Sequence, residues 1–138
     1  MLFADGKHKS FVLQSLKKCG DSYMDNTEYQ SLFYALGITE DCRNHIDELF
    51  DFEKRLVIWD GLEKPWVTGA DARVIRLAFS LFTGTVYELE IMEKEGASKE
   101  DIIKTASLYS PVKIFSYGGD ISLLMLHAVM LRFGLSVL

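Results

Sequence analysis

The sequence predicts an all-α fold, a single helical domain over residues 1–138 with about six helices packed around a buried central helix at roughly 69–83. Three observations support this. From Val74 to Phe82 only Arg76 and Ser80 are polar, and they sit four residues apart, so on a helix they share one narrow face while apolar groups cover the rest. Helix-start signals recur along the chain, as Asp25 with Glu28, Thr39 with Glu40 and Asp41, Thr68 with Asp71, and Ser98 with Asp101. From Ile121 to Phe133 the chain is apolar almost throughout, broken by Ser122, His127 and Arg132, as a helix with neighbours on several sides would be.

Taken in order, Phe11, Val12, Leu16 and Cys19 follow helical spacing, and Gly20 is placed to end that first helix. Asp25 and Glu28 form a capping-box pattern ahead of Tyr29, Leu32, Phe33 and Leu36, which fall on one helical face before Gly37. A third helix is expected from Thr39, with Cys42, Ile46, Leu49 and Phe50 on one side. The run Leu56 to Trp59 reads either as an extended segment or as continued helix, and Asp60-Gly61 suggests a turn. Pro65 favours an extended Lys64, which leads into the Thr68 cap, and Gly84 suits the left-handed position that closes the central helix.

Residues 86–92 support two readings. Tyr87, Leu89 and Ile91 alternate with Glu88 and Glu90 as in a hairpin arm, yet Glu, Leu and Met also favour an exposed helix. Ser98 and Asp101 then introduce Ile102, Ile103, Ala106 and Tyr109 at helical spacing. Ser110-Pro111 starts a short turn, and Asp120 is the expected cap of the last helix. That last run contains Arg132 and Gly134 and barely reaches the length of a bilayer span, so it reads as a buried helix and no membrane contact is expected.

Composition narrows the function. The 138 residues are 49% hydrophobic and 25% charged, enough for one sizeable core and too ordered in pattern for a disordered chain. A net charge of -5 opposes non-specific nucleic-acid binding, and the densest basic stretch, Lys7, Lys9, Lys17 and Lys18, is sparse. The two cysteines, Cys19 and Cys42, with no secretory pattern ahead of them, point to a cytoplasmic chain with reduced thiols.

Trp66-Val67-Thr68-Gly69, the run Arg76 to Phe82, and Pro111 to Phe115 resemble an uncharacterised family of small helical proteins from Gram-positive bacteria and their phages. The earlier order of His8 and Phe11, then Asp25, Tyr29, Leu32, Phe33 and Tyr34, fits the same family. The similarity spans most of the chain and is weakest from Thr85 to Thr105. It implies a compact helical domain in the cytoplasm of a bacterium or a phage-infected cell, with no activity attached.

Candidate chemistry is sparse. His8, His45 and His127 lie far apart in sequence and predict no metal site. Cys19 and Cys42 occupy apolar stripes and read as core residues. The acidic group Glu40, Asp41, Asp47, Glu48, Asp51 and Glu53 spreads around an exposed helical face as a solvated surface. The one polar constellation of interest is Thr68, Gly69, Arg73 and Arg76, where free N–H groups at a helix start are joined by two guanidinium groups. It is read either as an anion-binding corner or as a cap whose arginines pair with neighbouring acids. The expected function is therefore a non-enzymatic protein-interaction or accessory protein without cofactor. A homodimer through the last helix is included, because Leu135, Val137 and Leu138 prolong its apolar surface. The rivals are a small anionic-ligand or nucleotide-binding protein using residues 68–76, and a helix-turn-helix-like regulator.

Overall fold

A computed structural model describes residues 2–138. Its helices are α1 (Gly6–Cys19), α2 (Thr27–Leu36), α3 (Glu40–Asn44), α4 (Gly69–Thr83), α5 (Tyr87–Lys94), α6 (Lys99–Ser107), α7 (Pro111–Ile114) and α8 (Gly119–Arg132). The fold is all-α apart from a two-residue antiparallel ladder, β1 (Phe50–Asp51) with β2 (Leu56–Val57), in which Phe50 faces Val57.

α4 is buried along Val74, Ile75, Leu77, Ala78 and Phe79, with Arg76 and Ser80 on its half-buried side, as the sequence pattern requires. Its ends follow the predicted chemistry. Thr68 and Asp71 close a reciprocal capping box, and Gly84 takes the left-handed conformation, with φ 71°, and returns its N–H to the Ser80 carbonyl. Phe82, by contrast, is only half-buried, at the edge of the aromatic cluster beside Tyr29 and Phe50.

α2 is still more enclosed. It packs on α1, α4 and α8 together, and every residue from Ser31 to Ile38 is buried. Such burial leaves no water for polar groups, so the hydroxyl of Ser31 donates back to the Glu28 carbonyl and that of Tyr34 donates to the Leu2 carbonyl. Phe33 continues the core outward by stacking on Phe52 and meeting Phe50 edge to face at 5.2 Å between ring centroids.

Three local expectations are corrected, and two open readings are decided. The cap of α2 is Asn26, not Asp25, because the Asn26 side-chain oxygen reaches both the Glu28 and Tyr29 N–H groups at 2.9 and 3.1 Å. The third helix stops at Asn44. His45 leaves helical geometry, a 3-10 turn follows at Ile46–Glu48, and Phe50 enters the core from a strand. Residues 86–92 form no hairpin arm, since Tyr87–Lys94 is a helix whose Glu88 turns inward to Arg76 and Tyr109. The last helix is preceded by Gly118 at the cap position, and Asp120 lies inside its first turn. At the other open place, Leu56–Val57 is extended and pairs with β1.

α1 and α2 approach closely where Gly37 ends α2. A Cβ there would lie 2.7 Å from His8 Cδ2 and 2.8 Å from Phe11 Cδ1. Gly37→Ala is expected to cost about 1–3 kcal/mol through this overpacking, read as a lower urea midpoint with an unchanged denaturant slope.

Candidate functional site

The corner at the start of α4 forms as its sequence suggests, but its polar groups turn inward. Asp71, only 1% exposed, accepts from the Thr68 N–H at 3.0 Å and from the Thr68 hydroxyl at 2.9 Å. Its other oxygen faces the Cys42 thiol at 3.9 Å. Burial, reinforced by this acidic neighbourhood, pushes the Cys42 thiol up to about 12, and burial raises that of Cys19 as well, so neither is a thiolate near neutral pH. On α3, Asp41 is held above the ordinary carboxylate range by the neighbouring Asp71 carboxyl, which favours a proton on Asp41 that it can accept and repels a second negative charge.

Both arginines are tied to their own chain. Arg73 donates from Nη1 to the Gly69 carbonyl at 2.8 Å, and from Nε to the Lys113 carbonyl at 3.0 Å and the Ser116 hydroxyl at 2.8 Å. Its guanidinium also lies 4.6 Å from the Tyr117 ring centroid. The Nε of Arg76 approaches Glu88 at 3.5 Å as an ion pair without hydrogen-bond alignment. Glu88 in turn accepts from the Tyr109 hydroxyl, whose acidity is suppressed first by burial and then by this bond. The space left among Gly69, Ala72, Arg73, Arg76, Leu108 and Lys113 is about 110 Å³.

Thr68, Gly69, Arg73 and Arg76 therefore share one neighbourhood, where Arg76 ties α4 to α5 and Arg73 ties it to α7 and the turn after it. Sequence reading did not find Glu88, Tyr109, Ser116 or Tyr117, because their partners lie from 12 to 44 positions away and leave no local signature.

The histidines do not meet. His8 is wholly buried, and its ring uses both nitrogens. Nδ1 accepts the Ala4 N–H at 3.0 Å, which leaves Nε2 as the donor to the Tyr34 carbonyl at 2.8 Å. His45 stacks on Trp66 at 4.3 Å. Among the described residues no group of three or more His, Cys, Asp or Glu side chains converges as a metal site would, and no helix is long and apolar enough to cross a membrane.

Exposed apolar side chains occur singly at Leu56, Ile103 and Val112, and in a row along α8. Leu124, Met125, Ala128 and Leu131 fill the core from one side. On the other side lie Leu123, Leu126, Met130 and Phe133 at spacings of three, four and three residues. Leu123, Leu126 and Phe133 are 46%, 48% and 64% exposed. Charge sits at the two ends of this face, where exposed Asp120 lies beside Leu123 and the Arg132 guanidinium lies 5.5 Å from the Phe133 ring centroid. Beside its first half, Phe115, Ser122, Leu123 and Leu126 border a shallow apolar patch open to solvent.

Residues 1–137 match the sequence model described as Family of unknown function (DUF6075). The chain belongs to that family. Comparison with curated proteins and with solved structures returns no match.

Two outcomes follow from this geometry. A second proton on His8 would turn Nδ1 against the Ala4 N–H, and burial holds the ring below its ordinary value of 6.5. The unfolded chain then binds more protons at acid pH, so stability is full above about pH 6.5 and falls as pH drops below it. Urea midpoints from about pH 7.5 to about pH 5.5 should show this slope, and His8→Gln should flatten it. Separately, α5 and α6 contain no fully buried residue. Glu88→Ala should therefore speed amide exchange throughout residues 87–107 by about tenfold while α4 stays protected.

Proposed function

We propose that this protein works by association and not by catalysis, pairing with a second copy of itself through the outer face of α8. We assign it an accessory role in the cytoplasm of a bacterium or a phage-infected cell. What carries the reading is that α8 is apolar on two opposite sides, one filling the core and the other carrying exposed Leu123, Leu126 and Phe133 with half-buried Met130 between them. A helix that only covered a core would put charges on its outer side. A contiguous apolar strip of this kind marks a contact surface. Between its charged ends the strip is neutral, which favours a like surface, because two copies meet there without like-charge repulsion, despite a net charge of -5 on each chain.

Other features are compatible with the reading. Asp71 and Arg73 are engaged in internal hydrogen bonds and Arg76 in an ion pair with Glu88, and the two cysteines are free, buried thiols in keeping with a reducing compartment. Leu135 and Val137 extend exposed apolar surface past the end of α8.

Light scattering on the purified 15.7 kDa chain should return twice that mass at concentrations of about 10–100 µM. Leu126→Lys should return the single mass with little change in melting temperature, since the side chain is half exposed. A wild-type protein that stays monomeric across this range would defeat the reading.

A further inference from the structure

We infer that residues 86–109 form a strap that leaves the body of the protein as one unit, latched by Glu88 on Arg76 and pushed outward by like charges across its seam with residues 59–63. This goes beyond the association proposed above and does not depend on it. No residue from Ser80 to Lys113 is buried, and none from Thr83 to Lys113 is among the apolar groups packed on the core. Apart from chain-local bonds at its two ends, the polar and aromatic contacts that this run makes with the body, among the described residues, end on two side chains. Arg76 pairs with Glu88 at 3.5 Å and lies 6.0 Å from the Tyr109 ring centroid. Trp59 meets Tyr87 at 5.5 Å between ring centroids. Within the run the Tyr109 hydroxyl donates to Glu88, so α5 and the segment after α6 share one fastening.

Opening as a unit follows from the length of the elements. α5 and α6 have eight and nine residues and pack on each other, short of the ~12–15 that a helix needs to persist alone in water. Once Glu88 lets go, both lose their support together. The seam works against the latch. Between the Trp59–Glu63 turn and α5 lies a cleft of about 420 Å³, whose lining includes Asp60 and Glu63 from the body, Glu88 and Glu95 from the strap, and no basic side chain. Carboxylates on opposing walls repel, and of these four, among the described residues, only Glu88 has an ion-pair partner. Opening uncovers the Arg76 guanidinium and the outer side of the Trp59 ring, whose other ring contact is Phe79.

Hydrogen exchange on the full chain, read by mass spectrometry, tests both parts. The amides of α5 and α6 should share one level of protection, at least about tenfold below that of α2 and α4. Glu88→Gln keeps the size of the side chain but removes its charge, and should speed exchange in both helices about tenfold. Glu63→Lys alters only the body's wall of the cleft, so its effect on the strap must cross the seam, and it should slow exchange in both helices about threefold or more. Glu53→Lys makes the same charge change on the β1–β2 turn, outside the seam, and should shift that exchange less than about twofold. Circular dichroism verifies that each variant is folded. Protection in α5 and α6 equal to that in α2, or a response to Glu88→Gln in α5 without α6, overturns the strap. Exchange that Glu63→Lys leaves unchanged or speeds, or that Glu53→Lys slows as much, overturns the outward push.

Discussion

The segment Ser31–Ile38 has no side facing water, and the rest of the molecule is arranged around keeping it dry. Burying this stretch removes aliphatic and aromatic groups from water, but it also buries a carbonyl at Tyr34 and hydroxyls at Ser31 and Tyr34, each of which would destabilise the fold if left alone. His8 answers the carbonyl from α1, and in doing so anchors Ala4 and the leading segment against the bundle. One imidazole thus joins two helices and the start of the chain, and Gly37 is small because the same imidazole lies against it.

The start of α4 follows the same economy. Asp71 is a carboxylate almost without solvent contact, made tolerable by Thr68 and by the Cys42 thiol. Arg73 reaches α7 and the turn after it, while Arg76 reaches α5. The polar residues that look most like a ligand corner are the ones that connect the inner helices to the outer ones. The Nε and Nη1 of Arg73 already donate to internal oxygens, which makes this guanidinium part of the framework.

The helical skeleton was legible where one helix decides its own fate. The Thr68–Asp71 box, the Gly84 stop and the apolar run Val74 to Phe79 follow from spacing within a few residues. The errors cluster where a distant partner makes the choice. Phe50 is drawn out of the helical pattern because the aromatic cluster of Phe33, Phe52 and Phe82 lies where only an extended chain can deliver it. The stretch after Gly84 alternates as a strand would, but it has no strand to pair with, and Glu88 finds Arg76 and Tyr109 only when coiled. The neighbourhood of residues 68–76 was foreseen in membership, whereas the identity of its internal partners depends on α5, α7 and the turn beyond it, which no local window contains. The outer face of α8 was readable as excess apolarity, and the shallow patch beside it was not, because Phe115 joins it from another element.

The α5–α6 hairpin sits outside all of this. It is fastened by one carboxylate and by the contact of Tyr87 with Trp59, and its tip at Gly96 and Ala97 is remote from the buried cluster. That makes the tip a natural handle for the experimenter, where a fluorophore, an epitope or a short peptide can be spliced in while both the interior and the α8 strip keep their composition.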